Sequence, residues 1–249
     1  MKRGGGSRPS PISGDAVVRG KSANDLEIRP LMASRVDDVK VVTRGSWGAS
    51  CWDLYPRFNA KQQRERGIAL QGAGTDARRR AVLATLARRR THAPGLVAYR
   101  DSEPVGFISL GPRYDFARIE ASRATPRVDD IAAWVIPCIT VRRGFRGSGV
   151  AIAMIRAAVA YATKRGAPAV EAYPRKDNAR INDDFAFFGT EAMFRKAGFR
   201  QIRGPLADLP KTWTPRVTMR FTTGARSGTR RQRAAATRKT RVRVRSGSA

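Results

Sequence analysis

The segment from Ile131 to Arg165 constrains this chain more than any other. An apolar run, Ile131 to Val141, carries Pro137 near its centre and then turns through Arg142-Arg143-Gly144-Phe145-Arg146-Gly147-Ser148-Gly149. Directly after the turn, Ala151, Met154, Ile155, Ala158, Val159 and Ala162 recur at helical spacing, which predicts a helix from Val150 to Arg165. Pro137 has no N–H to offer a neighbouring strand, so a bulge or a splay is expected in mid-strand. A buried strand that passes straight into an amphipathic helix requires a layered sheet with helices packed on it.

The rest of the chain supplies that sheet. Leu26 to Leu31 alternates apolar and polar residues and predicts a first strand, and Ser34 is placed to cap a helix running to about Thr43. An aromatic loop follows, with Trp47, Trp52, Tyr55 and Phe58 around Cys51. Helical material is expected at Asn59–Ala69, and a helix capped by Asp76 carries Ala81, Val82, Leu86 and Ala87 on one face. Leu96–Tyr99 and Val105–Leu110 form a hairpin across Arg100–Pro104. Beyond the central helix, a strand is expected at Ala169–Tyr173, a helix at Thr190–Ala197, and strands near Phe199–Arg203 and Val217–Phe221. The fold class is therefore mixed α/β: a central, mostly antiparallel twisted sheet with one parallel strand–helix–strand crossover and helices on both faces.

Composition narrows the chemistry. The 249 residues include two cysteines, Cys51 and Cys138, and one histidine, His92. That excludes a disulfide framework, a four-cysteine zinc site and a multi-histidine metal centre. A Ser-His-Asp triad would rest on His92 alone, which sits where it would cap a helix C-terminus. The formal net charge is +29, from 49 basic and 20 acidic residues. It is uneven: residues 225–249 hold nine basic residues and no acid, and residues 1–24 hold five basic residues and Asp15. Both ends are poor in large apolar residues, so 1–24 and 225–249 are expected to be disordered basic tails around one domain, 25–224. The C-terminal run is expected to give non-specific nucleic-acid contact as a by-product of its charge. The first twenty residues contain no apolar stretch of the kind that leads a secreted chain, and Arg156 interrupts the most apolar helical run. A cytoplasmic location without a membrane is expected, with the oligomeric state open.

The turn before the central helix has the makings of a phosphate site. The first N–H groups of a helix have no carbonyl one turn back to bond, and the helix dipole adds positive charge there. Gly147 and Gly149 admit a ligand close to the backbone, and Arg142, Arg143 and Arg146 reinforce the sign. A nucleotide P-loop would need Gly-Lys-Ser/Thr at its end, which is missing. The dinucleotide pattern G-x-G-x-x-G/A begins at Gly147 and fails at Ile152, although Glu171 lies near the place of a ribose-binding acid.

Arg146-x-x-Gly149-x-Ala151 does fit the R/Q-x-x-G-x-G/A loop of the GNAT N-acetyltransferases, and the resemblance spreads. Strand Ile131–Val141, helix Val150–Arg165, strand Ala169–Tyr173 and Met193-Phe194-Arg195-Lys196-Ala197-Gly198-Phe199 resemble the acetyl-CoA half of that family in order and spacing. Glu103-Pro104-Val105-Gly106-Phe107 and the opening Leu26-Glu27-Ile28-Arg29-Pro30 extend it over most of Asp25–Phe221. The resemblance implies acetyl-CoA as co-substrate and no metal. It implies backbone contacts from Ile139 and Val141 to the pantetheine arm. Arg146, Gly147, Ser148, Gly149, Val150 and Ala151 would hold the pyrophosphate. It also implies direct attack of a primary amine, from a small molecule or a peptide, on the thioester, with an amide near Ile139 facing the oxyanion.

The chain departs from the family where its tyrosine acid stands, having Gly189 and Phe194 in that helix region. Either Tyr173 substitutes as the acid or the thiolate is released directly. Asp129, Asp130 and Glu171 flank strands that border the cleft and are the candidate bases, so Asp130, Glu171 and Tyr173 form the expected catalytic set. Cys138 is expected to be a small core residue, and the aromatic loop either core or the wall of an acceptor pocket. The alternative reading is a non-catalytic protein of the same fold that binds nucleic acid through its basic tail.

Overall fold

A computed structural model describes residues 26–46, 50–69, 74–176 and 187–224, together with the backbone of Val18 and Arg19. The expected tail 225–249, Trp47 and the rest of the expected tail 1–24 lie outside the described residues, while Val18 and Arg19, placed in that tail by the sequence, pair as a short strand with Ile28 and Glu27. In chain order the strands are β1 (Val18–Arg19), β2 (Leu26–Pro30), β3 (Gly95–Arg100), β4 (Glu103–Ser109), β5 (Gly111–Pro112), β6 (Trp134–Ile136), β7 (Ile139–Val141), β8 (Ala169–Ala172), β9 (Arg200–Arg203) and β10 (Thr218–Thr222). The helices are α1 (Val36–Thr43), α2 (Ala60–Glu65), α3 (Thr75–Ala87), α4 (Ala117–Glu120), α5 (Val150–Lys164) and α6 (Glu191–Lys196). Among these residues no helix is long and apolar enough to cross a membrane.

The strands form two sheets, ordered β1-β2-β3-β4-β7 and β5-β6-β8-β10-β9. The first is antiparallel throughout, and the second contains one parallel pair, β6 with β8, bridged by α5. Side chains alternate across β3: Leu96 and Ala98 join the core beneath α5, while Val97 and Tyr99 join a second core beneath α1 and α3. Helices therefore cover both faces of the first sheet. Met154, Ile155 and Ala158 of α5 are fully buried in the larger core, the periodicity that singled out this helix.

Four local expectations are corrected. The β3–β4 turn is Asp101–Ser102, both at positive φ (49° and 66°), the two-residue arrangement that matches the twist of adjoining strands. Ser34 lies within a 3-10 turn, Ala33–Arg35, and α1 starts from Arg35 without a side-chain cap. Gly74, at φ 69°, occupies the cap of α3, and Asp76 instead accepts from Trp52 Nε1 at 2.8 Å and Lys40 Nζ at 2.9 Å. His92 is buried and its Nε2 pairs with Asp115 Oδ2 at 2.7 Å, so it ties the loop after α3 to the 3-10 turn Arg113–Asp115 rather than closing a helix.

Candidate active site

Pro137 divides the central strand, and the division creates the site. Ile136 pairs in parallel with Ala172 of β8, but three residues later Ile139 pairs antiparallel with Ile108 of β4. The chain thus crosses from one sheet to the other, and beyond Ala172 the two strands diverge. Ser109 N–H donates to Cys138 O and Arg142 N–H to Val105 O, both at 2.9 Å. Since strand groups alternate in direction, Cys138, Thr140 and Arg142 turn their backbone groups toward β4. Ile139 and Val141 turn theirs to the opposite edge, where no strand pairs with β7 among the described residues. This edge is a template for an extended chain with amide groups of its own. Arg146 Nε donates to the Val141 carbonyl at 3.0 Å, bending the following turn back over it.

A cavity of about 1210 Å³ lies along this edge. One wall is the open side of β7 and the turn into α5, with Ile139, Val141, Arg146, Gly147, Gly149 and Val150 lining it. Ala151 lines it too, whereas Ser148 does not and instead donates its hydroxyl to Phe145 O at 2.7 Å. Gly147 and Gly149 stand at φ 77° and 82°, and a Cβ added to either would meet nothing within 4 Å. The glycines are required by backbone conformation, and the space above them is left for a ligand. Gly149 caps α5, whose first turn holds no acidic residue to compete with an anion.

The facing wall comes from the loop between α1 and α2. Trp52 and Asp53 have consecutive positive φ values, 51° and 59°, a conformation costly for residues other than glycine. It is enforced from both sides: the Trp52 indole is bound to Asp76, and Asp53 Oδ2 accepts from Arg57 Nε and from the Ser109 hydroxyl, each at 2.8 Å. Asp53 is buried, and its Oδ1 has no hydrogen-bond partner. Burial outweighs the Arg57 charge and the Ser109 and Arg57 hydrogen bonds, holding this carboxyl above the usual carboxylate range. Asp53 is the one carboxylate among the described residues that line the cavity, and Tyr55 is the one tyrosine. Cys138 and Cys51 also line it; burial pushes the Cys138 thiol up and Cys51 up to about 11, so neither is an activated nucleophile.

The sequence-derived catalytic set sits elsewhere. Tyr173 and Glu171 are buried on β8 and just past it, away from the cavity lining. Tyr173 donates its hydroxyl to Glu171 Oε2 at 2.9 Å and accepts from Arg113, while Arg220 binds Glu171 Oε1 at 2.6 Å. Burial and the adjacent Glu171 push the Tyr173 phenol far up, with Arg113 opposing. Asp129 is bound to Arg220 at 2.6 Å, and Asp130 is exposed on the same loop, also outside the lining. Phe194 is fully buried against Phe199, the ring centroids 5.1 Å apart.

Comparison with known proteins meets this geometry at the same segment. A family model described as the acetyltransferase (GNAT) family matches residues 57–189, more than half of the chain. The chain belongs to the GNAT acetyltransferase family. The yncA protein of Salmonella typhimurium, solved with its cofactor acetyl-CoA, superimposes with a TM-score of 0.50 at 14% identity, covering 82% of this chain and 96% of that one. A ribosomal-protein-alanine N-acetyltransferase from Brucella melitensis gives 0.48 at 18% identity over 78% and 98%. The PaiA N-acetyltransferase of Thermoplasma acidophilum, in complex with coenzyme A, gives 0.43 at 14% identity over 79% and 98%. No curated protein sequence matches the chain. Acetyl transfer is the general chemistry of this GNAT protein's family. Asp53, which sequence reasoning missed, precedes the matched segment; its one local signal is Arg57 four residues on.

Proposed function

We propose that this protein is an N-acetyltransferase that passes the acetyl group of acetyl-CoA to a primary amine by direct attack. The observation that carries the reading is the continuity of one cavity from the open edge of β7, through the Arg146–Ala151 turn, to a strained loop bearing a buried carboxylate. The residues present fit the co-substrate. The outward-facing backbone groups of Ile139 and the Val141 N–H suit a pantetheine arm, the Val141 carbonyl being held by Arg146, and the α5 N-terminus suits a pyrophosphate.

Each residue then has a task. The Ile139 N–H faces the thioester oxygen and stabilises the negative charge that develops when the amine adds. Asp53, across the cavity, takes the proton lost by the attacking nitrogen, and its raised affinity for a proton suits it to that exchange. Tyr55 stands in for the tyrosine that Phe194 replaces and donates to the departing sulfur. A C–N bond forms, the C–S bond breaks, and the proton taken from nitrogen is balanced by the one delivered to coenzyme A. No covalent protein intermediate is required.

Initial rates over a grid of acetyl-CoA and amine concentrations test this. Direct attack gives intersecting double-reciprocal lines, and mass spectrometry of protein mixed with acetyl-CoA alone finds no added acetyl group. Parallel lines with an acetylated Cys138 would contradict it.

A further inference from the structure

Arginine is abundant in this chain, and three of its buried guanidiniums show how such groups are held. Arg57 binds Asp53, Ser109 and the Pro94 carbonyl; Arg79 donates to the carbonyls of Ile68, Ser50 and Ala69. Arg113 lies among Tyr173, Glu171 and the Ile119 and Thr125 carbonyls. Arg216 is different. It lines the cavity, is half-buried, and has neither a carboxylate nor a hydrogen-bond acceptor among the described residues. Its guanidinium lies 3.2 Å from the ring centroid of Phe188, and desolvation lowers its pKa to about 10, with Tyr55 opposing.

Its position is fixed. Lys176 N–H donates to Pro215 O at 3.2 Å and Val217 N–H to Pro174 O at 3.1 Å, clamping the backbone on both sides of Arg216 to the chain leaving β8. A rigid backbone, an aromatic platform and a planar fork unpaired among the described residues form half of a bidentate anion site. The charges around it agree. Arg118 and Arg123 also line the cavity, and its one described carboxylate, Asp53, is already ion-paired with Arg57. A polycationic acceptor would meet repulsion there, and an acceptor with a negative group would not.

Resting on the acetyl-transfer reading of this cavity, we propose that the acceptor is a primary amine carrying a carboxylate, which Arg216 binds while the amine end reaches Ile139. Arg146, held to the Val141 carbonyl at the turn before α5, serves the co-substrate and is not part of this site.

The test uses the full chain and matched amines that differ by one carboxylate: L-phenylalanine with phenethylamine, L-histidine with histamine, and L-lysine with cadaverine. Coenzyme A release is measured for wild type, Arg216→Gln and Arg216→Lys, with acetyl-CoA affinity measured by calorimetry alongside. The expected result is a higher kcat/KM for the carboxylated member of at least one pair. That preference falls roughly 10- to 100-fold in Arg216→Gln, partly recovers in Arg216→Lys, and leaves acetyl-CoA affinity unchanged. Equal rates within every pair, a preference that survives Arg216→Gln, or no turnover of any carboxylated amine would overturn the proposal. Weaker acetyl-CoA binding in Arg216→Gln would also overturn it, by assigning Arg216 to the co-substrate. If wild type itself fails to bind acetyl-CoA, the acetyl-transfer reading has failed, and this proposal with it.

Discussion

Ser109 donates its N–H to the Cys138 carbonyl at 2.9 Å and its hydroxyl to Asp53 Oδ2 at 2.8 Å. One residue at the end of β4 therefore holds both the last rung before the strand divides at Pro137 and the buried carboxylate on the facing wall. The split strand and the strained Trp52–Asp53 loop are thereby fixed relative to each other. Arg57 locks the arrangement, reaching the Pro94 carbonyl and the Ser109 hydroxyl while pairing with Asp53.

Asp53→Asn tests the base. The amide keeps an oxygen for Arg57 but cannot take a proton, so kcat is expected to fall by about 10²-fold or more while acetyl-CoA affinity holds. Because burial holds the Asp53 carboxyl above its ordinary value, wild-type kcat/KM should rise with pH through that raised value as the base ionises. The variant should lose this limb, with thermal melting confirming that it is folded. An unchanged pH profile would remove Asp53 from the mechanism.

Tyr173→Phe separates structure from catalysis. The hydroxyl lies between Glu171 and Arg113 and away from the cavity lining. Its loss should cost about 1–3 kcal/mol of stability by leaving buried polar groups short of a partner, while kcat stays within about twofold. A large drop in kcat at unchanged melting temperature would restore Tyr173 as the acid.

Gly95 makes a close approach that a methyl group would spoil. A Cβ there would lie 2.4 Å from the Ile108 backbone oxygen and 2.8 Å from the Phe107 ring, where neither neighbour has room to give. Gly95→Ala is expected to destabilise by about 3 kcal/mol, seen as a fall in melting temperature of roughly 6–12 °C for a domain of this size. A melting temperature within a degree of wild type would contradict the β3–β4 register.

Acid should weaken the fold through Asp115. Burial raises its pKa, but the hydrogen bond to His92 and the charges of His92, Arg57 and Arg89 more than reverse this, leaving it below the usual range. The unfolded chain then binds a proton at a higher pH than the folded one. The stability from Asp115 is present above about pH 4 and lost as pH falls through its lower folded value. Melting temperatures between pH 6 and pH 3 should fall less steeply for Asp115→Asn than for wild type. Equal slopes would show that the pair with His92 carries no such linkage.

What the sequence disclosed was the part of the site built from local chemistry. Pro137 lacks an N–H whatever surrounds it, and the glycines before α5 admit positive φ wherever they stand, so the split strand and the turn were legible. Asp53 was not, because its burial depends on Ser109, 56 positions away, and its backbone strain on a loop held by Asp76. Glu171 and Tyr173 share a strand face, as their spacing requires, but which face met the cavity was decided by the splay of two sheets. Likewise Asp76 has the residue type of a helix cap, yet the Trp52 indole and Lys40 claim it. Arg216 is one arginine among many until it is seen in the cavity against Phe188 with no acceptor among the described residues.

Calorimetric titration of the full chain tests most directly whether the Arg146–Ala151 turn binds acetyl-CoA, at salt high enough to suppress non-specific phosphate binding. Wild type is expected to bind one equivalent with micromolar affinity. In Gly149→Val, a β-branched side chain must occupy a backbone at φ 82°, which costs about 1–2 kcal/mol locally and distorts the first turn of α5. Affinity should fall at least tenfold in that variant while the far-ultraviolet spectrum and cooperative melting persist. Acetyl-CoA binding of equal strength in a folded Gly149→Val variant, or no binding by wild type, would contradict the account.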